Sequence, residues 1–422
     1  MQRPGTISRE MKSPLHPARA FLSRFGRMHI IIPVSFLNAS AYTIVSLGLI
    51  FYLRDRLGVS AGIVGLASAL FNALYFAGCF VLRPIGLRIL PRYSLILSSF
   101  ISSVLLGLMV MASEVWLVLT LYAFGGFALS LFWPSLMGWL SAGVEGRTLS
   151  RRISYFNMAW SMGAIVGPLA AGFLAERRLD LPLIVGSALI LIVGFVVLGA
   201  SIFLSAVRTD THRDRRVSVA DGPDHSTPLR YPSWIGLVSA YAVLGALVVT
   251  VPLHARDQLA LTESSVGMVL LLRTLAASAG FWLFGRWSGW HFRISLIVIA
   301  PMLLIPLLLV LRNGSLVSYV AVLPLIGLTV SGIYTFSVFH GVAGTSDRTR
   351  RMAIHEALLT LGIVIGSLGA GRLYEIGGAQ AAYLGGIAMV AVGVVVQLVA
   401  VAVRRSTRSA DVRSSSEDRA GL

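Results

Sequence analysis

Two charged side chains, Arg273 and Glu356, stand inside long apolar runs, and their types and places define the chemistry open to this chain. A charge at the centre of a membrane helix costs roughly 2.5–3.5 kcal/mol on insertion scales, so each needs a reason. Arg273 lies near the middle of the run 264–285. At 1.5 Å of rise per residue it is about 15 Å from either surface, too deep for the side chain to reach water freely. A cation there either anchors an anion or is held by carbonyls of a neighbouring helix. Glu356 lies about one turn into the run 353–373, beside His355. Depth alone separates it from Arg273 by roughly 12 Å, so a direct ion pair is not required. A carboxylate so placed either carries protons or pairs with a cation elsewhere. No P-loop, no Gly-x-Ser-x-Gly and no His/Cys cluster at metal spacing occurs. The reading is therefore not an enzyme, and no cofactor or metal is expected.

The elements that must position these charges follow from composition. The 422 residues are 56% hydrophobic and 13% charged, with mean hydropathy +0.81. A soluble protein carries about a quarter charged residues. Such a chain belongs in a lipid bilayer, where helices or closed barrels alone satisfy the backbone. The single cysteine, Cys79, excludes an internal disulfide. Twelve apolar runs long enough to span are predicted: 28–53, 60–82, 93–112, 115–139, 153–175, 182–206, 233–254, 264–285, 293–311, 316–340, 353–373 and 379–403. The first is read as a retained helix following a cytoplasmic segment 1–27, not as a signal peptide.

Charge supports the same count. With both termini and every even-numbered gap taken as one side, that side holds 27 Lys and Arg and the other 7, Arg273 being inside a span. The positive-inside rule puts the rich side in the cytoplasm and the protein in the cell (inner) membrane. The net charge of +17 is then a topology signal, and nucleic acid is not expected as a partner. Residues 208–232 read as a cytoplasmic linker between bundles 28–207 and 233–403, and 404–422 as a disordered cytoplasmic tail.

The halves repeat one another. Arg54-Asp55-Arg56-Leu57 returns as Arg256-Asp257-Gln258-Leu259, Gly65 as Gly267 and Gly125 as Gly327, each 202 residues on. Arg151-Arg152 returns as Arg350-Arg351 and Gly163-x-x-x-Gly167 as Gly362-x-x-x-Gly366, 199 residues on. Parallel halves of this size in so apolar a chain indicate a two-bundle transporter. The glycines one turn apart let another helix backbone approach closely, and Pro168 removes a helical donor.

Six plus six helices, a basic central loop and duplication resemble the major facilitator superfamily. Gly163-Ala-Ile-Val-Gly167-Pro168-Leu-Ala-Ala171-Gly172 is similar to the G-x-x-x-G-P-x-x-G-G element of its drug and metabolite efflux antiporters. Ala171 and Ser154 stand where that element has glycine. The superfamily's loop after the second span is G-x-x-x-D-R-x-G-R-R. Here Gly86 and the basic Arg88 survive, but Arg83 stands where the acid would be, and the fourth span has no arginine before Gly125-Gly126. The resemblance implies an all-α membrane fold of two pseudo-symmetric six-helix bundles, with spans 1, 4, 7 and 10 around a central cavity. It implies that Asn38, Tyr42, Trp133, Tyr241, Tyr334 and His340 line that cavity, joined by Asn157, Trp160 and Arg273. So aromatic a lining suits amphipathic or aromatic solutes better than sugars. Span 11 would face span 2, so Glu356, whose repeat partner is Asn157, either latches to Arg83 or Arg88 or carries protons with His355 nearby. The expected function is proton-coupled efflux of a small organic molecule by a monomer. The alternatives are uptake of a small anionic metabolite on Arg273, and a non-transporting receptor or assembly protein.

Overall fold

The computed structural model describes residues 26–141, 146–204, 207, 226–287, 289–343 and 348–420. Among these there is no strand. Helix α1 runs from Met28 to Arg56, its last turn widened from Tyr52 onward. Then follow α2 (Ala61–Val81), α3 (Pro91–Met111), α4 (Val115–Leu140), α5 (Gly146–Arg177) and α6 (Leu181–Phe203). The second half has α7 (Arg230–Asp257), α8 (Glu263–Arg286), α9 (Ile294–Leu311) and α10 (Leu316–Val342). The helical stretch Arg348–Ala420 leaves helical geometry at Gly377 and at Gly378, which has φ 64°. Only glycine takes that backbone without strain. Gly385 then lies against Leu373, so the chain has folded back. The stretch is thus α11 (348–376) and α12 (379–420), and the spans number twelve, as the apolar runs predict.

The differences from expectation have local causes. Helices α5 and α11 begin several residues earlier than their apolar runs, because a helix continues through polar residues once out of lipid. Helix α4 is interrupted at Ser130–Leu131, where Pro134 clashes with the carbonyl four residues back and offers it no donor. Pro306 does the same in α9, which breaks at Leu303. Most of the expected linker, residues 208–225, falls outside the described residues. The expected disordered tail is helical as far as Ala420, propagation from an existing helix being cheap.

The surface is apolar in the manner of a lipid-facing protein: Met111, Trp116, Phe195, Val392 and Val395 are all exposed. Within each half the glycine pair packs the same helices together. A Cβ on Gly167 would overlap Thr43 of α1, and one on Gly366 would overlap the Ala242 carbonyl of α7. Between halves the pattern repeats with a two-fold relation. Gly65 of α2 lies on the Ser367 carbonyl of α11, and Gly267 of α8 on the Pro168 carbonyl of α5. The duplication legible in sequence is therefore a duplication of close contacts.

Candidate functional site

The helices α1, α2, α5, α7, α8 and α11 bring together, at one end, the residues that repeat across the halves. Arg54 donates to both oxygens of Asp257, at 2.9 and 3.4 Å. Arg256 reaches Asp55 at 3.4 Å and Glu263 at 2.9 Å. The crossing is two-fold: each arginine pairs with the aspartate of the other half. Each also donates to a carbonyl five residues on, Val59 for Arg54 and Leu261 for Arg256. Two further carboxylates close the set. Glu375 accepts the Gly62 N–H at 3.0 Å, at the start of α2, and Glu176 accepts the Ser264 hydroxyl at 2.6 Å, at the start of α8. A carboxylate at a helix N-terminus is favoured by the unpaired N–H groups and the dipole there. These cross-bundle hydrogen bonds and ion pairs all lie at this end.

Beneath the pairs the bundles meet in a closely packed layer, apolar apart from Ser46, Ser68 and the Tyr122 hydroxyl. Leu49, Ile50 and Leu53 of α1, Tyr122 of α4 and Val248 and Val249 of α7 leave a void of about 10 Å³. That is no larger than one water requires. Outside the membrane-spanning segments at the same end, Arg178 holds Asp180 at 2.8 Å and Arg56 lies at 3.7 Å. The Arg178 guanidinium keeps the Asp180 carboxyl below the usual carboxylate range.

Both predicted charges lie near one tyrosine. Tyr241 of α7 lies within Coulombic reach of both Arg273 and Glu356. Tyr334, Tyr75 and Cys79 also lie near Glu356. Tyr241 and Tyr334 approach at 6.3 Å between rings, and Tyr334 meets the His355 ring edge-on at 5.0 Å. His355 is buried and shares a 2.9 Å hydrogen bond with Ser337. Arg273 and Glu356 are half-buried, and neither has an ion pair among the described residues. Asn157 and Trp160 are exposed on α5.

Other predicted residues lie elsewhere. His340 is buried, with Phe292 N–H donating to Nε2 at 3.3 Å and Nδ1 2.8 Å from the Phe336 carbonyl. It ties the loop after α8 to α10 and does not join the charged group. Trp133 packs edge-on to Phe132 and Phe156 within the first bundle. Tyr42 packs on Phe71, which stacks on Tyr122 at 4.6 Å. Asn38 is buried in the first bundle at 1% exposure. Arg83, Gly86 and Arg88 lie on a short helix, Arg83–Arg88, after α2. The two arginines are exposed there, and no ion pair joins them to Glu356 in this conformation. Sequence reasoning missed Asp55, Asp257, Glu176, Glu375 and Tyr75. The repeat itself carried the signal for the first four, since Glu176 and Glu375 are also 199 residues apart.

The profile of the Major Facilitator Superfamily matches residues 31–345. The chain belongs to the major facilitator superfamily. An uncharacterized transporter of the superfamily from Mycobacterium tuberculosis (strain ATCC 25618 / H37Rv) is 24% identical over 384 residues, 84% of this chain and 88% of the relative. A bacterial homolog of the human lysosomal transporter Spinster, solved inward-facing and unoccupied, superposes with TM-score 0.65 at 15% identity, over 92% of this chain and 96% of that one. The nucleoside transporter NupG gives 0.68 at 11% identity, over 89% and 98%. At such identities the likeness is one of fold.

Proposed function

We propose that this member of a transporter superfamily works by alternating access and exports a small organic solute in exchange for protons. The observation that carries the reading is a cation and a carboxyl group, Arg273 and Glu356, that both lie near Tyr241 and have no ion pair among the described residues. A scaffold protein has no use for a cation and a carboxylate at membrane depth that do not pair with each other. In this reading the basic end faces the cytoplasm, both termini lie there, and the ion-paired end is the closed outer face. Tyr241, Tyr334, Trp160 and Asn157 offer aromatic faces and few polar anchors, which suits an amphipathic or aromatic solute. Glu356 exchanges the proton, and Arg273 fixes the solute's orientation. Loss of the Arg83 and Arg88 contacts in this conformation is compatible with the latch reading too, since a latch would form when the basic end closes.

A second reading, uptake of a small anion, is favoured by one observation: Arg273 has no carboxylate partner among the described residues. The experiment is transport in proteoliposomes with an imposed pH gradient, using candidate solutes found by thermal-shift screening. Glu356→Gln, which keeps the shape of the protonated acid, is expected to bind solute but no longer respond to the gradient. A Glu356→Gln variant whose transport still follows the gradient rejects proton exchange at this residue. Solute accumulation without any dependence on the gradient in the wild type favours the second reading.

A further inference from the structure

One buried titratable side chain takes no part in the transport reading. His340 lies in the last turn of α10, at the basic end, and none of it is exposed. Its bonds fix which nitrogen carries the proton. Nδ1 lies 2.8 Å from the Phe336 carbonyl, which can only accept, so Nδ1 is the donor. Nε2 lies 3.3 Å from the Phe292 backbone nitrogen, whose N–H can only donate, so Nε2 is bare. The Ser233 hydroxyl of α7 also stands 3.3 Å from Nδ1. One neutral imidazole thus joins α10, α7 and the turn between α8 and α9.

The turn it holds is under strain. Phe292 has φ 56°, a left-handed backbone that a bulky side chain rarely takes. The repeat supplies the control. At positions 202 residues earlier, Ser233, Phe292 and His340 correspond to Ile31, Leu90 and Gly138. Leu90 keeps an ordinary extended backbone with φ −67°, and Gly138 has no side chain with which to hold it. The second half alone combines a left-handed turn with a histidine that pins it. Aromatic rings close around that histidine: Trp290, Phe292 and Phe339 meet His340 edge-on at 6.0, 5.7 and 5.1 Å. The Trp290 ring N–H donates to the Phe284 carbonyl at 3.0 Å, which fixes the turn to α8.

We propose that His340 is a proton-operated strap: neutral, it holds the α8–α9 turn against α7 and α10, and protonated, it releases the turn. A proton on Nε2 changes that atom from acceptor to donor and leaves two N–H groups facing each other. The Phe292 bond must then break, and the left-handed backbone loses what holds it. Nothing nearby compensates the new charge. The turn carries Arg286, His291 and Arg293, and α7 starts at Arg230, all of them bases. His291 stacks on Phe339 at 4.2 Å. Helix α7 presents the Ser233 hydroxyl, and α12 sends Gln397 to the Pro232 and Ile297 carbonyls, so neither adds an ionisable group. Helix α11 brings His355 to Ser337 and Glu356 near Tyr334, both further along α10. Among the described residues no carboxylate bonds to His340. The strap acts on α8, the helix that carries Arg273 and meets α5 across the bundles at Gly267. Acid at the basic end therefore frees that end of α8 without acting on Glu356.

The test is amide hydrogen exchange on the full chain in detergent, read over residues 289–293 and corrected for the intrinsic pH dependence of exchange. From about pH 8 to about pH 5, protection of this turn in the wild type is expected to fall about ten-fold, while the first-half turn 82–90 keeps its own. In His340→Gln no ring titrates at this place, and protection is expected to be the same at both pH values. His291→Gln is expected to retain the wild-type fall, so the assignment can be judged even if His340→Gln does not fold. Wild-type protection that does not change with pH overturns the proposal. So does a fall that survives in His340→Gln or vanishes in His291→Gln. A loss shared by every helix is acid unfolding and overturns it too.

Discussion

Arg273 is the residue on which the transport reading is most exposed. Arg273→Ala is expected to leave expression and Tm nearly unchanged while transport falls to background. Normal transport rejects the anchor role, and failure to fold makes Arg273 a structural residue. Asp180 behaves differently, because its ionised form is held by Arg178. Its carboxyl is lower in the folded than in the unfolded chain. The stabilisation is therefore present at neutral pH and is lost as pH falls through the acidic range. The Tm difference between wild type and Asp180→Asn should shrink on acidification. It will be small, since Arg178 is largely exposed. A difference that grows with acid contradicts the assignment. Arg273 and Glu356 were legible because charge in an apolar run stands out. Asn38 and His340 are buried, and residue type and span do not fix which way a helix faces. Rotation about the axis is set by neighbours such as Gly186, which packs on Ala41 and Val45, and no local pattern in α1 encodes it.

At the scale of elements, the two kinds of glycine contact predict two kinds of failure. Gly167→Leu drives a side chain into Thr43 within one bundle. Overpacking of this sort costs about 1–3 kcal/mol, so expression and Tm should both drop. Gly65→Leu meets the Ser367 carbonyl across the bundles instead. That change should spare each bundle but oppose closure of the ion-paired end. A cysteine placed near Val59 should then label faster from the outer face, in a Cys79→Ser background. The crossed pairs make the same point with charge. Arg54→Asp or Asp257→Arg alone should raise that labelling, and the two together should restore it. A half-exposed pair is worth about 0.2–1 kcal/mol, so the shift is about five-fold at most. Equal labelling in all variants means the pairs do not control closure. Helix spans were legible from hydropathy because lipid demands long apolar runs. The breaks in α4 and α9 were not, although Pro134 and Pro306 mark them, because a span is defined by its length and the break does not interrupt its apolarity.

For the whole molecule, the charge asymmetry predicts that reporters fused at residue 220 and at the C-terminus both read cytoplasmic. A periplasmic signal at either site rejects the topology. The fold was legible at this scale because duplication writes the same contacts twice, and the offsets of 202 and 199 show where. The crossed pairs carry that symmetry furthest. Arg54–Asp257 and Arg256–Asp55 form an isologous contact, one in which a surface recognises a copy of itself about a two-fold axis. One sequence specifies both sides of such a contact, so it was available to a single six-helix bundle pairing with its twin before any fusion. What had to diverge lies inward. At equivalent positions Phe71 answers to Arg273, their carbonyls lying against Gly126 of α4 and Gly327 of α10, and Asn157 answers to Glu356. The means of closing the protein stayed common property of both halves, while the charges fell to one heir alone.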